Sequence, residues 1–155
     1  MRLTLARARP RGIVHIMYTV GVRDHIHVAH RLDGDIFGPA QRMHGVTFTV
    51  SVEVEHEELD EHGVVCDAHM LRARLRQVLS ELDYRNLDDH PAFEPGKSTS
   101  EHIARFIHRE LGRTLPLAAG TLLTVCLEQS PVIWVKYRAA VRGGSMVPRE
   151  ELGQA

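Results

Sequence analysis

Gln41-Arg42-Met43-His44-Gly45-Val46-Thr47-Phe48-Thr49-Val50-Ser51-Val52-Glu53-Val54-Glu55 alternates with period two from His44 onward. The even positions are His44, Val46, Phe48, Val50, Val52 and Val54, and the odd ones are Gly45, Thr47, Thr49, Ser51, Glu53 and Glu55. Successive side chains of a strand point to opposite faces. The stretch therefore predicts a strand over 44–55 with one apolar face and one polar face. The polar face looks to solvent, to a partner subunit, or only weakly to packed helices. An imidazole heads the apolar face, and that placement needs an explanation.

Working outward, residues 12–32 are rich in β-branched and aromatic types: Ile13, Val14, Ile16, Tyr18, Thr19, Val20, Val22, Ile26 and Val28. They predict a long first strand, bent near Gly21. Asp33-Gly34-Asp35 and Gly38-Pro39 mark the loop between the two strands. After a charged turn over 57–63, Asp67 suits the N-cap of a helix with an apolar stripe of Ala68, Leu71, Leu75, Val78, Leu79 and Leu82. Residues 83–97 read as a loop. Ser98 to Glu101 has the spacing of a capping box, which opens a second helix with Ile103, Phe106, Ile107 and Leu111 on its stripe and Gly112 at its end. Two strands follow, over 121–127 and 132–137, joined at Gln129-Ser130-Pro131 as a hairpin. The order ββααββ is an α+β layout, an antiparallel sheet with two helices on one face.

The 155 residues fit a single domain, 1–155, with a core over about 13–140 and tails over 1–11 and 142–155. The net charge of −1 argues against a nucleic-acid or anionic-lipid surface. Arg2, Arg7, Arg9 and Arg11 read as a solvated tail. Two isolated cysteines, Cys66 and Cys126, make neither a disulfide framework nor a zinc knuckle, and point to a reducing cytoplasm. No apolar run approaches the roughly 20 residues of a membrane span, and no apolar core follows the N-terminal arginines as in a signal peptide.

Six short stretches carry a family resemblance. Val28-Ala29-His30-Arg31-Leu32 resembles an AAHRL strand ending, and His44-Gly45-Val46 resembles an HGH strand opening. Gly63-Val64-Val65-Cys66-Asp67 resembles a GMVxDF helix entry, and Leu82-Asp83-Tyr84-Arg85-Asn86-Leu87-Asp88 resembles LDHxxLN. Ser98-Thr99-Ser100-Glu101-His102-Ile103-Ala104 resembles xPTxENxA. Leu127-Glu128-Gln129-Ser130-Pro131, with Trp134 and Tyr137, resembles xETPxxWxxY. In this order they are similar to the 6-pyruvoyl-tetrahydropterin synthase family, which includes 6-carboxy-tetrahydropterin synthases. The resemblance implies the tunnelling fold (T-fold), in which strands of several subunits close a barrel, typically a hexamer built as a dimer of trimers with sites between subunits.

The resemblance also implies a zinc site of three histidines, two of them the i, i+2 pair of the HGH motif. His30 and His44 match two ligands, but the third position is Val46, which cannot coordinate. Two imidazoles alone bind zinc poorly, so no metal and no other cofactor is expected. The plain reading of His30 and His44 is then neutral, hydrogen-bonded pocket residues. A displaced site at His25 and His27 with Asp24 is an alternative that the i, i+2 spacing leaves open.

The family's chemistry uses a cysteine before HGH and an Asp–His pair. Here Ala40 stands near the cysteine's place, Asp83 is kept, and Tyr84 replaces the histidine. A phenol with a pKa near 10 does not replace a neutral-pH imidazole relay. Asp83 and Tyr84 are thus a degenerate catalytic pair, and the standard synthase reaction is not expected. The recognition residues survive: Glu128 matches the glutamate that holds the pterin ring by a charge-assisted fork, and Thr99, Ser100 and Glu101 match the helix start that contacts it. The expectation is a homo-oligomeric binder of a pterin-like small molecule. An enzyme of altered chemistry on a related pterin or purine-like heterocycle is the alternative, and a structural oligomeric partner is a third reading.

Overall fold

The computed structural model describes residues 17–141. The basic tail, the start of the first expected strand (12–16) and the C-terminal tail lie outside the described residues. Strand β1 (Tyr18–His30) pairs antiparallel with β2 (His44–His56), from Tyr18 opposite His56 to His30 opposite His44, without a break at Gly21. The expected bend near Gly21 is therefore not a bulge. Helix α1 (Ala68–Ser80) and helix α2 (Ser100–Thr114) follow, then β4 (Leu122–Ser130) and β5 (Ile133–Ala140). A two-residue strand β3 (Arg85–Asn86) lies between the helices and runs parallel to β1. The open five-stranded sheet has the order β3-β1-β2-β4-β5.

The period-two reading of β2 holds. Phe48, Val50, Val52 and Val54 are buried, while their odd-numbered neighbours are only partly covered. Ile26, Leu123, Val125 and Leu127 extend the same apolar face. Leu71, Leu75, Ile103, Ile107 and Leu111 of the two helices are fully buried against it. Each such side chain stabilises the fold by about 1.5–3 kcal/mol through the water it leaves. Ala68, expected on the α1 stripe, is exposed as the first residue of the helix, and the buried stripe starts at Leu71.

Local chemistry sets the element ends, and several differ from expectation. Asp67 caps α1 as anticipated, accepting the His69 and Met70 amides at 2.8 and 3.2 Å. The cap of α2 is Thr99, not Ser98. Ser98 is fully buried, and both its carbonyl and hydroxyl oxygens are taken by His30, so the next residue along caps the helix. Glu101 consequently falls one position short of the capping box. Gly112 does not end α2, which runs on to Thr114 before Leu115 and Pro116 turn the chain away. Its lack of a side chain lets Val141 approach, since a Cβ there would stand 3.3 Å from Val141 Cγ1. The hairpin turns at Pro131-Val132, with β4 continuing through Gln129 and Ser130 across a register irregularity.

Candidate site on two faces of one sheet

Strand register places the candidate residues. His30 and His44 face each other across β1 and β2 on the helix-covered side, with ring centroids 4.7 Å apart. His30 Nδ1 lies 3.0 Å from the Ser98 carbonyl oxygen, and His44 Nδ1 lies 2.9 Å from that of Arg42. A carbonyl only accepts, so Nδ1 carries a proton in both rings, and in the neutral form the lone pair is on Nε2. Burial pushes the His30 imidazole below its ordinary value; the Ser98 carbonyl opposes that shift and neighbouring His44 adds to it. His30 is thus a buried ring whose neutral form is favoured by its surroundings.

Backbone carbonyls that orient two imidazoles are the outer half of a metal site. The inner half is incomplete. Val46 occupies the position two residues from His44 on the same face, and it packs against the core. An open zinc site takes three protein ligands, and these donors do not fit one. The displaced alternative does not assemble either. His25 and His27 share the other face, Asp24 stands between His25 Nδ1 and Arg76 Nε at 3.6 Å from each, and no group of three His, Cys, Asp or Glu that could hold a metal occurs among the described residues.

Asp83 and Tyr84 do meet an imidazole, one the sequence reading did not connect to them. Asp83 Oδ1 accepts the backbone N–H of His27 at 2.7 Å and stands 3.4 Å from its Nδ1. The Tyr84 N–H donates to the His27 carbonyl at 2.7 Å. The phenol ring stacks on the imidazole, 5.0 Å between centroids and 20° between planes. The only hint in the sequence was the His25/His27 spacing, which puts both rings on one face of β1.

Glu128 lies opposite Thr49 of β2 and Trp134 of β5. Thr49 in turn lies opposite His25. Glu128 thus belongs to the polar face that neither α1 nor α2 covers, the face that also carries His27. It is half-buried, and its carboxylate makes no hydrogen bond or ion pair among the described residues. Thr99, Ser100 and Glu101 begin α2 beside His30, on the helix side. Thr99 Oγ1 accepts the His102 amide at 3.5 Å, which leaves the Ser100 and Glu101 amides as free donors in the first turn. Within one chain the structure therefore does not bring Glu128 and the α2 start together.

The thiols are poor nucleophiles. Burial pushes Cys66 up, with Asp67 and Asp60 adding to it, and burial also raises Cys126 despite opposition from Lys136. Ala40, near the place of the family's cysteine, only accepts the Leu32 amide through its carbonyl, at 3.0 Å.

Comparison with known proteins settles the lineage. The family model described as 6-pyruvoyl tetrahydropterin synthase matches residues 19–140. This chain belongs to the 6-pyruvoyl tetrahydropterin synthase family. A Bacillus subtilis (strain 168) relative, 6-carboxy-5,6,7,8-tetrahydropterin synthase, is 28% identical over 120 residues, covering 74% of this chain and 80% of the relative. The Caenorhabditis elegans 6-pyruvoyl tetrahydropterin synthase structure is 26% identical with a TM-score of 0.68, over 80% of this chain and 96% of that one. The Plasmodium falciparum 6-pyruvoyl tetrahydropterin synthase structure matches at a TM-score of 0.66 and 15% identity, over 81% and 99% of the two chains, a likeness of fold alone. The α+β architecture is the T-fold of these synthases, here as an open sheet within one chain.

Proposed function

We propose that this member of the 6-pyruvoyl tetrahydropterin synthase family binds a pterin-like heterocycle and does not carry out the standard synthase reaction. The observation that carries the reading is Glu128, a half-buried carboxylate without a hydrogen-bond or ion-pair partner among the described residues, at the family's anchor position. Such a group can accept paired hydrogen bonds from an amino group and a ring N–H. Against the standard reaction stand Val46 in place of a third imidazole and Tyr84 in place of the family's catalytic histidine.

The open sheet supports an oligomeric site. Among the described residues strand β5 leaves an unpaired edge, and the polar face of β1, β2 and β4 carries no helix. Further copies that pair with the edge remove it, and they can bring the α2 start of one chain toward the Glu128 face of another. We infer a ring of copies, with the hexamer of two trimers as the expected state, and a ligand pocket shared between chains.

Calorimetric titration with neopterin tests the binding. Saturable, stoichiometric heat in the wild type that disappears in Glu128→Ala supports it. No heat with neopterin or with guanine-like compounds, or an unchanged Glu128→Ala, overturns it. Sedimentation of the same samples reports the oligomer, and turnover of dihydroneopterin triphosphate contradicts the loss of the standard reaction.

A further inference from the structure

The open face holds a second chemical group on the same side of the sheet as Glu128. A cavity of about 460 Å³ is lined by His27, Ala29, Gly45, Thr47, Tyr84 and Asn86. It opens at the β1 edge, where the chain returning from α1 meets the sheet. His27 lies two residues from His25, which shares a row with Thr49 and Glu128. Adjacent strands are about 4.8 Å apart, so Glu128 stands roughly 10 Å from His25 across the face, and His27 lies about 7 Å farther along β1.

The way His27 is held is unusual for a surface strand residue. Both of its backbone groups are engaged from the 83–84 segment, the N–H by the Asp83 carboxylate and the carbonyl by the Tyr84 amide. Its Nδ1 is buried and without a hydrogen-bond partner among the described residues, with the Asp83 carboxylate 3.4 Å away. Catalytic hydrogen bonds in ligand-free proteins are often long in this way and tighten on binding. Tyr84 has a left-handed backbone, φ 55°, which costs a non-glycine residue about 1–2 kcal/mol. Its ring is 80% exposed, so core packing does not offset that cost, and its one ring contact among the described residues is the face of His27. Strain of this kind gathers at functional sites.

We propose that His27 is the proton-accepting catalytic residue of a site on this open face, with Asp83 as its positioning carboxylate and Tyr84 as the wall against which the ring is held. The substrate class is a heterocycle anchored by Glu128 that carries a C–H beside a ketone. With Nδ1–H turned to Asp83, Nε2 faces the cavity with its lone pair. Nε2 takes the proton as the C–H bond breaks. That electron pair forms the carbon–carbon double bond of an enolate, and the carbonyl pair moves to oxygen. The imidazolium is stabilised by the Asp83 carboxylate and returns a proton to the same carbon, so no oxidant, reductant or leaving group is needed. This inference rests on the pterin-binding reading of Glu128. It supplies an imidazole from β1 in place of the one that Tyr84 displaced.

The test uses sepiapterin, a dihydropterin with a C–H next to its side-chain ketone, in deuterated buffer. Proton NMR follows loss of that C–H signal, and calorimetry follows binding. The wild type should exchange the proton. His27→Gln should bind sepiapterin but exchange it about 100-fold more slowly or less. Asp83→Asn should also slow exchange while retaining binding, which a merely structural carboxylate would not do, and it serves as the second variant should His27→Gln fail to fold. Binding without exchange, or exchange at the wild-type rate in both variants, overturns the proposed site and leaves the binding reading intact. Absence of sepiapterin and neopterin binding overturns both.

Discussion

Replacing Val46 by histidine asks whether the His30–His44 end of the sheet lacks a third donor and nothing else. Position 46 lies on the same face of β2 as His44 and opposite Val28, one row from the His30–His44 pair. Two residues along a strand is about 7 Å, within reach of an imidazole converging on a point between the other two rings. Those rings are 4.7 Å apart, and both already have Nδ1 tied to a carbonyl, so neither has to be reoriented. Structural zinc contributes about 10–16 kcal/mol over four ligands. One ligand is then worth roughly 2.5–4 kcal/mol, or two to three orders of magnitude in affinity. The lost packing of a half-buried valine costs about 1 kcal/mol of stability, small beside that gain. The assay is competition with a chromophoric chelator after stripping with EDTA. V46H should bind one zinc per chain about 100-fold or more tightly than the wild type, and His30→Ala in the V46H background should abolish the gain. Equal affinities in V46H and wild type refute the claim that carbonyl-anchored imidazoles are preorganised here. Stoichiometric zinc in the unmodified protein refutes the donor argument itself.

Other consequences follow from the same geometry. Because burial lowers the folded-state pKa of His30, the unfolded chain binds the proton more readily. Stability should be full above about pH 6.5 and fall as the pH drops below that value. Urea midpoints against pH read this out, and His30→Asn should flatten the slope. Glu128→Gln removes the charge of the fork, so neopterin affinity should fall by about 10-fold or more, while thermal stability stays near wild type because the carboxylate has no partner among the described residues. Thr99→Ala should destabilise the protein by about 1 kcal/mol in urea unfolding, and Ser98→Ala should alter the His30 NMR signals, which Thr99→Ala leaves in place. Ile107→Ala, at a fully buried position, should cost about 2–5 kcal/mol in the same assay.

The architecture was legible because its signals are local and periodic. β2 alternates from His44 to Glu55, and the structure buries Phe48, Val50, Val52 and Val54 together. Asp67 caps α1 because a carboxylate before an apolar stripe can reach the amides two and three residues on. That Val46 cannot act as a ligand was equally plain, since its side chain carries no donor atom. Small errors arose where a local rule was sound but the group was already taken. Ser98 has the spacing of a cap, yet its hydroxyl serves His30, and the cap passes to Thr99. Gly112 reads as a helix end, yet it is there to let Val141 approach.

Residue types and their order were enough to determine the α+β layout and the apolar face of the sheet, because each depends on neighbours within a few positions. The tertiary structure alone decided which imidazole meets which partner. His30 and Ser98 are 68 positions apart, and His27 and Asp83 are 56 apart. Their contacts depend on strand register and on where the chain re-enters the sheet after α1, which no local period encodes. The same register separates Glu128 from the start of α2 and joins it to the face of His27. Opposed residues on paired strands share a face, whereas residues on a covering helix reach the other one.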